Sequence, residues 1–518
     1  MAARPSNKWV IAGTVMTGTI MAALDASIVN VALPEMSGTF GATIEEITWV
    51  ATGYMLSNVI AMPLIAWLSA RFGRKRMYVV SFVSFTAASM CCGLARTLPV
   101  MVLFRIVQGA GGGVLMTVAQ AILREAFPRH EQGMAMGVYG MGVVLAPAFG
   151  PTLGGWLTDR YAWPWIFYIN VPIGVLGLLL VQRFIADPPY LVRERGRVDV
   201  PGIALLALGL GALQLMLEEG QRKDWFDSSF IVTLGAAAGL GLALFIWREL
   251  ATDRPAVDLR ILKSASFSSA TALGGVLGMG LYGSLFLLPL FLQNLLGYPA
   301  ETAGLALMPR SLAMAVVMPI GGLLYNRLGP RLLIAAGLLV SAFSFQELSH
   351  LTIAVGFWDV FVPLLWQGVG FSLIFVALST AALGTIEKAK MTAAAGLYNV
   401  VRQVFGSVGI AVAATTLTTG IARYHDSLAE HVTMYDPTTR QWLATATAAL
   451  RAAGSDAYTA SRRALDLPNC DVTRQAVVLS YNHVFALVML LFAIALPLVL
   501  LLRATGTARD EATALIGE

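Results

Sequence analysis

This sequence is short of charge. Of its 518 residues only 13% are Asp, Glu, Lys or Arg, where a soluble globular chain carries about a quarter. Hydrophobic residues make up 57% and the mean hydropathy is +0.72. That excludes an ordinary soluble domain and implies a polytopic membrane protein. Cysteine is scarce too: Cys91 and Cys92 are neighbours in an apolar run and Cys470 stands alone, so there is no disulfide framework. No Gly-Lys dipeptide occurs, which excludes a Walker A phosphate loop and direct ATP drive. His130, His350, His425, His431 and His483 all miss the middle of an apolar run, and no HExxH or convincing Ser-His-Asp set is present. An intramembrane metalloenzyme is therefore disfavoured; no catalytic residue, metal or cofactor is expected. The net charge of +5 gathers on one membrane face, as shown below, and is no footprint for nucleic acid.

Long apolar runs are what the sequence does have. Membrane spans are predicted near residues 9–34, 46–68, 78–95, 98–122, 133–157, 163–185, 200–218, 229–247, 267–293, 300–325, 332–349, 360–384, 393–420 and 478–502. That makes fourteen, with twelve as the alternative if two of them do not cross. The first run follows Arg4 and Lys8 and is too long for a signal-peptide core, so it reads as an uncleaved span. With the N-terminus placed inside, 22 of the 35 basic residues fall on inside segments and only Arg96, Arg160, Arg222 and Lys223 on short outside loops. Six more lie in the long loop 421–477, and Arg105, Arg310 and Arg402 lie within spans. The bias predicts both ends inside and an even number of spans.

The chain repeats itself. Ala66–Lys75 (AWLSARFGRK) returns as Gly322–Arg331 (GLLYNRLGPR), 256 residues later. Gln108-Gly109-Ala110-Gly111 returns as Gln367-Gly368-Val369-Gly370, and Gly137-Val138-Tyr139 as Gly396-Leu397-Tyr398, each 259 residues later. Matches in one order at nearly one offset predict two homologous six-helix halves, with spans 200–218 and 229–247 inserted between them. Halves related by a two-fold axis around a central site are a transporter architecture. The expected units are a first bundle (1–186), a linker with two added helices (187–266), five helices of the second bundle (267–420), an outside loop (421–477), the last helix (478–503) and a tail (504–518).

Several segments resemble known motifs. Leu24–Pro34 (LDASIVNVALP) is similar to a first-helix signature, Ala66–Arg76 to a loop 2–3 motif, Leu103–Gly109 (LFRIVQG) to a helix-4 motif, and Gly150–Gly155 (GPTLGG) to a helix-5 antiporter motif. Together and in order they resemble the major facilitator superfamily, within it the 14-helix drug:proton antiporters of the EmrB/QacA type. The resemblance covers nearly the whole chain. It implies an all-α major facilitator fold, with two pseudo-symmetric six-helix bundles plus two inserted helices. It also implies a secondary active transporter, not an enzyme, that uses the proton gradient and no cofactor. The chain departs from the pattern at Ala66 and Ala70, where the motif has Gly and Asp, and at Ala146. The resemblance implies a latch between the halves at Arg71, Gly73, Arg74 and Lys75; without the acid it would rest on the three basic residues.

Asp25 is the residue that an apolar run least tolerates. An ionised acid in a bilayer costs a few kcal/mol or more, so such groups face a cavity, pair or titrate. Its helical neighbours Gly18, Ala22 and Ala32 are small. With the fourth helix entering from outside near Pro99, Arg105 lies about 10 Å below the outer surface, and Asp25, nine residues before Pro34, about 13 Å. The matching depth predicts that the two communicate, with Asp25 as proton carrier. A purely structural hydrogen-bonding role for each is the alternative. Gly150, Pro151, Gly154 and Gly155 suit close helix packing, a bend, or both.

A substrate cavity would be lined by aromatic, Met and polar side chains. The candidates are Asn30, Gln108, Met116, Gln120, Tyr139, Met279, Tyr282, Gln293, Asn294, Arg310, Tyr398, Asn399 and Arg402. The loop 421–477 contains Ala-rich charged stretches that read as short amphipathic helices. In the resembled group a large loop here goes with Gram-negative members, which work with a periplasmic adaptor protein and an outer-membrane channel. The expectation is a proton-coupled exporter of amphipathic toxic compounds in a bacterial inner membrane, working by alternating access. An uncoupled facilitator, a membrane sensor of this fold and a membrane-embedded enzyme are the alternatives.

Overall fold

A computed structural model describes residues 7–187, 199–252, 255–433 and 435–502. The tail 504–518 and the basic residues Arg4, Arg193, Arg195, Arg197, Arg254, Arg503 and Arg509 lie outside the described residues. Six helices come first: α1 (Lys8–Phe40), α2 (Trp49–Phe72), α3 (Arg74–Gly93), α4 (Leu98–Ala126), α5 (Gln132–Arg160) and α6 (Asn170–Phe184, led by a turn at Trp165–Tyr168). The inserted pair is α7 (Val200–Glu219) and α8 (Ser229–Ala251). The second half begins with α9 (Ala265–Leu290). The run Ala300–Leu348 follows, with two arms, α10 (300–328) and α11 (330–348), meeting at Gly329. Then come α12 (Phe357–Gly384), α13 (Met391–Ala429), α14 (Pro437–Ala452) and α15 (Ala457–Ala495).

Twelve of the described helices are long and apolar enough to cross a membrane. The run Ala300–Leu348 counts once among them and contains two arms, and α3 is left out because its first turn is Arg74-Lys75-Arg76. Dividing the one and including the other gives fourteen spans, as the sequence implied. The end where α1 begins is called basal here, the other end distal.

The repeat is also conformational. Gly73 (φ 94°) and Gly329 (φ 77°) stand 256 residues apart, each in the left-handed region that a side chain disfavours, and each turns the chain between two spans. Where the halves meet, glycine replaces side chains. Gly133 of α5 lies against the backbone of Gly322 on α10, Gly137 against Met318, and Gly396 of α13 against Met62 of α2. These crossings all lie toward the basal ends. Asn326 donates to the carbonyl of His130 there, and Gln120 of α4 meets Asn399 of α13 (2.7 Å) nearer mid-depth. The basal side is thus shut in this conformation. Toward the distal side the insert bridges the halves. Gln214 donates to Ser407 (2.8 Å), Arg222 to Thr48 (3.2 Å) and Trp225 to Thr415 (2.8 Å).

The outside segment expected to hold short amphipathic helices is mostly helix, and two of those helices continue the spans on either side. α13 runs on to Ala429, and α15 starts at Ala457 and continues without a break into the last span. Ala, Leu and Arg favour helix there. Asp456 caps α15 by accepting from the backbone N–H groups of Tyr458 and Thr459, and Asp436 caps α14 through Thr438 and Thr439. A boundary at 478 therefore cuts through a helix.

Candidate functional site

Asp25 is fully buried on α1 and Arg105 is 1% exposed on α4. Nη1 of Arg105 donates to Oδ2 of Asp25 at 2.5 Å and to Oε1 of Gln108 at 2.8 Å. The other carboxylate oxygen, Oδ1, accepts from Nε2 of Gln108 and from Nδ2 of Asn170 on α6, both at 2.8 Å. Asn170 also donates to Ser89 Oγ on α3 (3.1 Å). Arg105 is held in turn by the carbonyl of Val50 (3.0 Å to Nε) and by the ring of Tyr54, 4.4 Å from the guanidinium. The Tyr54 hydroxyl donates back to the Ala22 carbonyl on α1 (3.1 Å). One carboxylate thus ties α1 to α4 and α6, and its counter-ion ties α4 to α2.

Local sequence explains how these groups meet. Gly109 and Gly113 of α4 lie against the Tyr54 and Asn58 carbonyls of α2, where a side chain would not fit. That close approach lets Tyr54 lie against Arg105. Gly150 and Gly154 of α5 pack on Ser27 and Ile28 of α1 in the same way, just past Asp25. Pro151, by contrast, is exposed and Gly155 half-buried.

The loop 2–3 motif makes several contacts within the first half and at the start of the linker. Arg74 forms a two-pronged ion pair with Glu125 (2.7 and 2.6 Å), and Lys75 donates to Asp187 (backbone N–H, 2.7 Å) and to the Gln182 carbonyl (2.9 Å). Arg71 lies over the rings of Trp67 and Phe72. Asn326 of the second copy makes a direct link between halves.

A second polar group forms between the halves. Beside the Gln120–Asn399 bond, Arg402 lies 5.0 Å from the Phe375 ring and 5.8 Å from the Tyr398 ring. Tyr139 stacks on Phe375 at 6.4 Å and donates to the Met116 carbonyl (3.3 Å). Arg402 Nη1, Tyr398 Oη, Gln120 Nε2, Asn399 Oδ1, Thr117 Oγ1 and Ser379 Oγ are buried without a hydrogen-bond partner. Arg402 lies close enough to act electrostatically on both tyrosine hydroxyls without forming an aligned bond to them.

The other cavity candidates lie elsewhere. Gln108 belongs to the Asp25 network, and Arg310 sits with Ser284 and Gln367 in the second half. Tyr282 is half-buried against Gly406. Asn30 is exposed on α1, and Gln293 and Asn294 are exposed in the turn that ends α9. A recess of about 330 Å³ at the distal rim is lined by Glu45, Glu46, Trp49, Glu219, Arg222, Lys223 and Phe230, none of which belongs to either polar group. Sequence reasoning missed Asn170, Tyr54 and Ser89. Asn170 left one signal, as an amide well inside the apolar run 163–181.

A sequence model of the Major Facilitator Superfamily matches residues 15–410. The chain is 35% identical to the fatty acid resistance protein FarB of Neisseria gonorrhoeae, over 92% of this chain and 93% of that one. It is 37% identical to the multidrug export protein EmrB of Haemophilus influenzae, over 81% and 82%. It is 32% identical to EmrB of Escherichia coli K12, over 93% and 92%. Among solved structures it resembles a double tryptophan mutant of XylE, with a TM-score of 0.64 at 12% identity and 97% and 98% coverage. At that identity the likeness is one of fold.

Proposed function

This chain belongs to the major facilitator superfamily of membrane transporters, and from that premise we propose that it is a proton-coupled antiporter exporting amphipathic toxic compounds. The observation that carries the reading is the Asp25–Arg105 pair, buried at 0% and 1% exposure and bonded to four helices.

A proton arriving at Asp25 removes the charge that Arg105, Gln108 and Asn170 converge on. Losing one partner of a buried pair costs about 3–5 kcal/mol. One proton moving down one pH unit supplies about 1.4 kcal/mol, and about 2.3 more per 100 mV. The two are matched in size, so a single proton can release α1 from α4 and α6. Arg105 keeps the Val50 carbonyl, Gln108 and the Tyr54 ring, which limits the cost of its unpaired state.

The structure is shut at the basal glycine crossings, and the charge bias supports a cytoplasmic position for that side. In the cycle, Asp25 is paired and deprotonated in this state and takes its proton from the distal side. Protonation favours the form open to the cytoplasm, and compound binding between the halves returns the proton inward. Gln120, Tyr139, Tyr398, Asn399 and Arg402 supply the binding surface at the seam: aromatic walls with few, unsaturated polar groups. Relatives named for fatty acid resistance and multidrug export support amphipathic cargo.

The distal hairpin of α14 and the start of α15 exposes Tyr435, Trp442, Tyr458 and Leu465. Apolar groups displayed outside the membrane suit a partner, here a periplasmic adaptor leading to an outer-membrane channel. The experiment for the whole reading is a drug-susceptibility panel in cells with and without the protein, repeated with a protonophore. Protection that disappears with the protonophore is expected; protection unaffected by it, or none, contradicts the reading.

A further inference from the structure

The two halves share a helix plan but not its charge. The second half can be laid on the first using its own contacts. Gly154 packs on Ile28, 126 residues earlier, and Gly409 lies against Gly283, also 126 residues earlier, so α9 keeps the register to α13 that α1 keeps to α5. The 259-residue offset therefore places Ser284 at the position of Asp25, Gln367 at that of Gln108 and Leu364 at that of Arg105. The 256-residue offset of the neighbouring helix places Arg310 at the position of Tyr54.

The contacts follow this map. Arg310 Nη1 donates to Gln367 Oε1 (3.3 Å) and Ser284 Oγ (3.2 Å), as Arg105 Nη1 donates to Gln108 Oε1 and to Asp25. The guanidinium has moved from the fourth-helix position to the second-helix position, and the same glutamine still holds it. The acid has not moved with it. Ser284 ends one bond short of where the oxygens of an aspartate would lie, and Gln367 Nε2, whose counterpart donates to Asp25, is buried with no partner. Arg310 is 4% exposed and Ser284 and Gln367 are fully buried. Arg310 forms no ion pair among the described residues. By its place on α10 it lies about 15 Å from the distal end, so it does not reach the membrane surface.

A buried cation with only neutral partners is costly, and a buried amide N–H without an acceptor adds to the cost. Both are relieved by one negative group in the place that Asp25 fills in the first half. We propose that Arg310, Ser284 and Gln367 form a binding site for a monovalent anion, either a halide or a carboxylate group. Its donors are a guanidinium, a hydroxyl and an amide N–H. The site binds no cation, because no carboxylate of the described residues lies in it. It carries the charge compensation that the first half builds into its own chain, and it does not depend on Asp25 being the proton carrier.

The test is thermal unfolding of the purified full-length protein, followed by circular dichroism. Sodium chloride or sodium acetate replaces sodium sulfate at constant ionic strength. The midpoint should rise saturably with chloride, acetate or both. A chloride response alone assigns the site to an ion of the medium, and an acetate response to the carboxylate of an organic molecule. Ser284→Asp supplies the carboxylate from the chain itself, so its midpoint should start above wild type and stay flat in either salt. Gln367→Leu should raise the half-saturating concentration about tenfold or more. Arg310→Gln should abolish the response; if it does not fold, the other two variants decide. A flat wild-type midpoint in both salts, or a Ser284→Asp variant that still responds as wild type does, overturns the proposal.

Discussion

At the scale of single residues, the account turns on one carboxylate and its donors. Asp25→Asn keeps the shape and removes the charge. The variant should insert and fold, yet lose efflux driven by a pH gradient. Arg105→Ala leaves Asp25 buried without its cation and should cost about 3–5 kcal/mol. Combining it with Asp25→Asn should cost less than the two singles summed, because no uncompensated charge remains. A double-mutant cycle on unfolding free energy checks this, and strict additivity would argue against the pair. Asn170→Ala removes one donor to the carboxylate and should cost about 1.5–3 kcal/mol. The pairing of Asp25 with Arg105 was legible in the sequence, because helical rise alone put both at one depth. Tyr54 and Asn170 were not legible. A Tyr or Asn in a span says nothing of which helix it faces; for Tyr54 that is set by Gly109 and Gly113, which bring α4 close to α2.

At the scale of elements, the basal crossings are the part of the fold most sensitive to volume. Gly133 and Gly322 meet backbone to backbone. Gly133→Val should wedge the basal ends apart, leaving the protein inserted but transport at least tenfold slower. Labelling of a cysteine introduced near Gln120 from the cytoplasmic side should then speed up; unchanged labelling would show that this crossing is no gate. The helices themselves were legible, including α3, whose three basic residues mark only its basal end. The distal helices were legible as amphipathic stretches, but their continuity with the last spans was not, since the span ends were set where apolar runs stop and a helix does not stop there. α13 and α15 run on as amphipathic helix beyond the bilayer.

The caps of that hairpin give a pH expectation. Asp436 is held below the ordinary carboxylate value first by the backbone N–H and hydroxyl of Thr439, and Asp456 by the hydroxyl and backbone N–H of Thr459. Both pKa values are lower folded than unfolded. Each cap's contribution is therefore fully present above the unfolded value of 3.8 and is lost only as pH falls through the lower, folded one. Helicity of the hairpin should hold from pH 7 to 5 and decline only below about 4; melting near pH 6 would contradict the capping.

At the scale of the whole molecule, the two halves repeat in helix order and glycine turns but diverge where chemistry is done. The repeat was legible as three matched segments, and Gly73 and Gly329 show that even a turn conformation was copied. The exchange of Asp25 and Tyr54 for Ser284 and Arg310 was less visible, since it moves a cation between helices and no linear match records it. The distal hairpin belongs to this scale as well. Deleting 438–465 should leave insertion intact and abolish copurification with a periplasmic adaptor; retained copurification would make the hairpin a bystander. The central claim, that cargo and proton exchange through Asp25, is tested most directly on purified protein in lightly buffered detergent solution. Adding an exported compound should release protons from wild type and none from Asp25→Asn, with binding of the compound retained in both. Equal proton release from the two proteins would contradict the account.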